Sequence, residues 1–133
     1  MPRLILIGLL FLGGLFNLFL GVSFLLDPAG IGGEFGMSPN GPLGLAVIRG
    51  DFTAFFGVIG FCMLWGAWRR NGDLLLVPAA LFGIAFVGRA ITALTVGTSP
   101  GFFEPMIAEA VQFVLLIAGW RIVPHHRIEE IAN

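Results

Sequence analysis

Between Leu4 and Leu26 the chain runs for 23 residues without a charged side chain. As an α-helix, at about 1.5 Å per residue, such a segment crosses a hydrocarbon layer of roughly 30 Å. Three more apolar runs follow, Leu43 to Trp68, Leu74 to Val96 and Phe102 to Val123, divided by RRNGD and by the turn-rich GTSPG. Open strands cannot cross lipid because their edge backbone groups would lack partners, and four uniformly apolar runs are too few for a closed barrel. The expected fold is therefore all-α: one domain over 1–133, an integral membrane four-helix bundle with spans at about 4–26, 43–68, 74–96 and 102–123. The first run exceeds the apolar core of a cleaved signal peptide, roughly 7 to 15 residues, and no small-x-small cleavage site closes it.

Composition agrees with this reading. The sequence is 57% hydrophobic and 11% charged, with a mean hydropathy of +0.97, whereas about a quarter of the residues of a soluble domain are charged. A formal charge of -1 and seven dispersed Arg with no Lys exclude a nucleic-acid partner, which requires a basic face. Cys62 has no second cysteine to pair with, and no set of zinc ligands surrounds it in sequence.

Helix-start signals fit the same division. Pro42 follows Asn40 and Gly41, Asp73 precedes LLLVP, and Ser99 precedes Pro100, with Glu104 and Pro105 as a second start for the last helix. The 27–42 segment, rich in Gly and Pro, reads as a structured loop or short interfacial turn. The tail with His125 and His126 reads as a solvated terminus rather than a metal site.

Four spans place both termini and the 69–73 loop on one side. That side carries Arg3, Arg69, Arg70, Arg121 and Arg127, while the other has no Arg and holds Asp27, Glu34 and Glu104. The positive-inside rule makes the first side cytoplasmic. Trp65, Trp68 and Trp120 all fall at that boundary, where an amphipathic indole is favoured.

Charges nonetheless enter the spans. Counted inward from the far boundary at about 1.5 Å per residue, Asn17, Arg49, Asp51, Arg89, Glu109 and Gln112 all lie roughly 9 to 15 Å deep. An ionisable group in mid-membrane costs a few kcal/mol, so it is expected to face the bundle interior and find partners. Glu109 and Gln112, three apart, share a helix face. Arg49 and Asp51, about 200° apart, cannot both point inward. The expectation is that Arg89 or Arg49 bonds Glu109, with Asn17 and Gln112 filling remaining positions. On this reading Arg49 faces the bundle, and Asp51 sits at a subunit interface or at the mouth of the polar layer.

The run LLDPAG after the first span, VIRGDFTAFFGVIGFCMLWGAWRR in the second, FVGRAITALTVG in the third and a Glu early in the fourth resemble an uncharacterised bacterial family of small four-helix membrane proteins, a domain of unknown function. The resemblance covers about residues 8 to 122, and the family pattern falls on Arg49, Gly50, Gly88, Arg89 and Glu109. It implies a bacterial cytoplasmic-membrane location and no particular activity. More distantly, the layout is similar to DoxX-like proteins, some of which are membrane partners of quinone-linked oxidoreductases.

No nucleophile and base stand at a recognisable spacing, no His lies within a span, and no Gly-rich loop follows a strand, so nothing in the sequence points to a catalytic site. The function best supported is that of a small membrane binding or accessory protein. Its Arg/carboxylate layer holds a polar ligand group, such as the head of a lipid, quinone or pigment, or else clasps the bundle. Its partners would be the bilayer and a larger membrane complex or further copies of the chain. The alternative is a small proton-coupled or ion transporter working as an oligomer.

Overall fold

A computed structural model describes residues 2–124; the 125–133 tail, with His125, His126 and Arg127, lies outside them. The described residues form helices α1 (Pro2–Leu26), α2 (Pro28–Glu34), α3 (Gly41–Arg69), α4 (Leu76–Thr95) and α5 (Phe103–Ile122), and α4 is preceded by a 3-10 turn, Gly72–Leu75. They contain no strand. Four of the helical segments, with the 3-10 turn counted into α4, are long and apolar enough to cross a membrane.

Local sequence sets each boundary. The 27–42 segment contains a two-turn helix, α2, with Pro28 in its first turn and Asp27 as its cap, the Asp27 Oδ1 accepting from Gly30 N at 3.0 Å. α3 starts after Asn40 and ends where Arg70 takes a left-handed φ of 52°, its N–H donating to the Gly66 carbonyl. Asn71 rather than Asp73 caps the 3-10 turn, its Oδ1 accepting from Asp73 N at 3.2 Å. The last helix uses the second of its two possible starts, with Glu104 and Pro105 in the first turn.

α1 and α3 run antiparallel in close contact. A Cβ built on Gly60 would lie 2.7 Å from the Gly14 carbonyl oxygen and 2.7 Å from Leu18 N, so the two backbones approach as only glycine allows. One turn further along, a Cβ on Gly21 would meet Gly57 N at 3.1 Å and Thr53 O at 3.4 Å. These contacts fix the register of the pair.

The core has two parts. At the end that holds the start of α1, the 3-10 turn and the end of α5, Leu6, Leu10, Ile59, Met63, Ala67, Leu75, Ala79, Phe82, Leu116 and Val123 join all four long helices. Gly72 N donates to Pro124 O at 3.0 Å there, tying the turn to the end of α5. At the loop end, Phe24, Ile48 and Phe56 pack with Phe35, Phe52, Ile31 and Met37, residues of α1, α3 and the α2 segment alone. The α4–α5 hairpin is absent from this second cluster. The buried residues of α4 are Pro78, Ala79 and Phe82, and none lies beyond Phe82.

The outer surface is apolar on every side. Only 22% to 33% of the most apolar window of each span is buried, and Leu12, Phe16, Phe19, Phe61, Ile84, Leu94 and Val114 are among the exposed large side chains. A helix apolar all round is matched to an apolar environment. Near the termini the exposed Trp65 and Trp68 form a polar-tipped rim, with the Arg69 guanidinium 5.1 Å from the Trp65 ring and that of Arg121 5.9 Å from Trp120.

Candidate functional site

Between the two apolar clusters lies a polar seam. Asn17, on the inner face of α1, is fully buried. Its Nδ2 donates to Gly13 O at 2.8 Å and to Gln112 Oε1 of α5 at 2.6 Å, with the Met63 sulfur 3.8 Å away. Gly13 O can only accept, so it fixes the orientation of the amide and leaves Asn17 Oδ1 turned away. That oxygen is buried and finds no partner among the described residues.

One turn toward the loop end on the same face of α5, Glu109 is 7% exposed. Arg89 Nε of α4 donates to Glu109 Oε1 at 2.9 Å, the ion pair of the seam. Helix direction makes this contact possible. Side chains lean toward the N-terminus of their helix. α4 starts at the terminus end and α5 at the loop end, so Arg89 leans back into the bundle while Glu109 leans outward to meet it. The pair is unevenly sheltered, with the Arg89 side chain 33% exposed and that of Glu109 10%. Glu109 Oε2, like Asn17 Oδ1, is buried without a partner among the described residues.

On α3, Thr53 lies further toward the loop end than the seam. Its carbonyl lies against Gly21, one turn beyond Asn17 toward the loop end, and its hydroxyl oxygen is the third buried atom without a partner among the described residues. Other helical hydroxyls behave differently: Ser23, Thr92 and Thr95 each donate to the carbonyl four residues earlier, at 2.8, 3.1 and 2.8 Å. No motif or charge marks Thr53 in the sequence. The register set by Gly21 and Gly57 places it about two turns beyond Asn17 toward the loop end.

Arg49 and Asp51 do not belong to this layer. Both are exposed, and neither makes an ion pair or hydrogen bond among the described residues. The expectation that Arg49 faces the bundle with Arg89 and Glu109 is therefore corrected. The reason is register. α3 begins at Gly41 and overhangs the end of α1. Counted outward from the Gly21–Gly57 contact at about 1.5 Å per residue, Arg49 and Asp51 lie at or just beyond the end of α1. Their depth below the start of their own apolar run overstated their depth in the bundle, because Leu43 to Ile48 belongs to the overhang, where Ile48 packs against Gly32 of α2.

Two surface grooves accompany the bundle, and neither opens on the seam. One, of about 290 Å³, is lined by Gly83, Phe86, Val87, Ala110, Phe113 and Val114 on α4 and α5. The other, of about 320 Å³, is lined by Phe11, Phe61, Leu64, Trp65 and Trp68 on α1 and α3. Both are apolar and shaped to take hydrocarbon. Among the described residues no three His, Cys, Asp or Glu gather as a metal site.

Fold and seam together define a class: an all-α bundle with an apolar exterior and a buried, partly unsatisfied polar layer between two apolar clusters. Comparison with models of protein families, with curated proteins and with solved structures gives no match.

Proposed function

We propose that this chain is a small integral membrane binding protein, acting as an accessory subunit, that holds the polar end of a lipophilic molecule in the layer formed by Asn17, Arg89, Glu109 and Gln112. The observation that carries this reading is the pair of buried oxygens without partners among the described residues, Asn17 Oδ1 and Glu109 Oε2. A buried polar atom left unpaired costs about 1–3 kcal/mol. A purely structural clasp would be better built without these two free oxygens. Four apolar spans and the Arg and Trp rim support a bacterial cytoplasmic membrane with both termini inside. The resemblance to a family of small four-helix membrane proteins supports the same setting.

A transporter needs a polar path to both faces. Here the layer is floored toward the termini by Leu10, Ile59, Met63, Leu75, Phe82 and Leu116, all buried. That floor favours a site over a path within one chain.

Native mass spectrometry of the gently extracted protein tests the proposal. A retained small molecule is expected on the wild type and is expected to be lost from Glu109→Gln, which keeps the shape of the side chain and turns its free acceptor into a donor. A bare wild type, or equal retention by the variant, refutes it.

A further inference from the structure

The end of the bundle that holds the start of α1 and the end of α3 carries charge that the protein leaves unspent. Arg3, Arg69 and Arg70 are exposed there, and none of them makes an ion pair among the described residues. Counted from the contact of Gly14 with Gly60 at about 1.5 Å per residue, Arg3 lies roughly 16 Å and Arg69 roughly 14 Å toward that end, so the arginines of the two helices stand at similar height. Next to them, toward the middle of the spans, is the apolar groove of α1 and α3 lined by Phe11, Phe61, Leu64, Trp65 and Trp68.

Arg69 joins charge to groove. Its guanidinium carbon lies 5.1 Å from the centroid of the Trp65 ring, and that ring is stacked on Phe61 with centroids 5.9 Å apart. A guanidinium over an aromatic ring uses its face for that contact, and the N–H groups at its edge remain to match the oxygens of a phosphate.

We infer that this groove is a site for a phospholipid whose headgroup carries a net negative charge, with one acyl chain in the groove, the phosphate on Arg69, and Arg3 and Arg70 adding to the attractive field. The order of groups along the protein matches the order along such a lipid: apolar lining for the chain, indoles at the interfacial level, then cations at the level of the phosphate. A zwitterionic headgroup presents an ammonium that the same arginines oppose. A second copy of the chain is a poor occupant, because copies inserted in one orientation would bring two sets of arginines to one height. The groove on α4 and α5 differs in just this respect, since no arginine lies over its Phe86 or Phe113 ring among the described residues. The lipid site is separate from the seam and requires only that the chain spans a bilayer.

Two photoreactive phospholipids with the same diazirine-bearing acyl chain test this, one with a phosphatidylglycerol and one with a phosphatidylcholine headgroup. Each is titrated into phosphatidylcholine nanodiscs holding the full chain, with unlabelled lipid of the same headgroup as competitor, and crosslinked residues are mapped by mass spectrometry. The phosphatidylglycerol probe is expected to label α1 and α3 around Phe11, Phe61 and Leu64 saturably, at least about fivefold more tightly than the phosphatidylcholine probe, and to show no such preference around Phe86 and Phe113. Arg69→Gln should remove about a fivefold factor, and Arg69→Lys, which keeps the charge, should restore most of it. Both variants change an exposed side chain, so their helical circular dichroism should match the wild type, which separates lost binding from lost fold. Equal labelling by the two probes makes the groove a place for bulk lipid only and overturns the inference. So does a preference that survives Arg69→Gln, or a crosslink that places a second protein chain over the groove. Failure of the chain to insert into nanodiscs overturns the membrane reading itself, whereas the other outcomes leave the seam untouched.

Discussion

Removing Arg89 should harm this protein more than neutralising Glu109, although the two side chains form one contact. In Arg89→Leu the Glu109 carboxyl group, its side chain 10% exposed, loses the cation 2.9 Å away and is left buried without a partner for either oxygen. Breaking a buried pair in this way costs about 3–5 kcal/mol. Because the Arg89 side chain is itself 33% exposed, part of that interaction is already screened and the lower end, about 3 kcal/mol, is expected. In Glu109→Gln the amide oxygen still accepts from Arg89 Nε, and the guanidinium can turn toward the surface. A charge-assisted bond becomes a neutral one, at about 1 kcal/mol. The double variant buries no charge, so its cost should be only about 1–2 kcal/mol, less than Arg89→Leu alone. Reversible unfolding in mixed micelles with increasing dodecyl sulfate, followed by helical circular dichroism, measures all three. Additivity within about 0.5 kcal/mol, or a larger loss for Glu109→Gln than for Arg89→Leu, would refute the reasoning.

Three more outcomes follow from the same geometry. Gly60→Ala places a methyl group 2.7 Å from backbone atoms of α1 and should cost about 1–3 kcal/mol in the same titration, whereas Gly50→Ala, with nothing within 4 Å of the new atom, should be neutral or gain up to about 1 kcal/mol from helix propensity. Asp51→Asn, at an exposed position without a partner among the described residues, should shift stability by no more than about 0.5 kcal/mol; a large loss would mean that Asp51 is buried in the assembled protein. With Cys62 replaced by Ala, an impermeant maleimide applied to intact cells should label Thr98→Cys at the loop end and spare Pro124→Cys, both at exposed positions, and the reverse pattern would invert the topology.

How much could be read in advance depended on whether a residue's environment was set by its own helix or by its neighbours. The four long helices were legible because length and continuous apolarity are local properties. Glu109 and Gln112 were legible as a pair because three residues of separation on one helix puts them on one face. Arg49 and Asp51 were misplaced because their depth was measured from the start of their own apolar run. The true reference is the contact of Gly21 with Gly57, which depends on two chain segments at once. The burial of the Thr53 hydroxyl could not be read from the sequence for the same reason. A threonine among phenylalanines carries no signal until the register turns it inward and leaves its hydroxyl without the carbonyl bond that Ser23, Thr92 and Thr95 make.

Clasp and site need not compete in this layer, because each member spends only part of its capacity on the clasp. Asn17 uses its nitrogen, Glu109 one oxygen, and Arg89 its Nε. α5 is the common partner, bonded to α1 through Gln112 and to α4 through Glu109 from a single face. On the loop side of Phe82, α4 has no buried residue to hold it in place, so the Arg89–Glu109 bond is the polar tie that sets how far this half of α4 stands from the bundle. A molecule bound to the second oxygen of Glu109 contacts the same carboxylate that holds α4. Its binding free energy then differs between arrangements in which that tie is closed or open, and such a difference is what lets a ligand shift a conformational population. In an accessory subunit, the loop half of α4 is accordingly the surface on which occupancy of the layer would be felt by a partner.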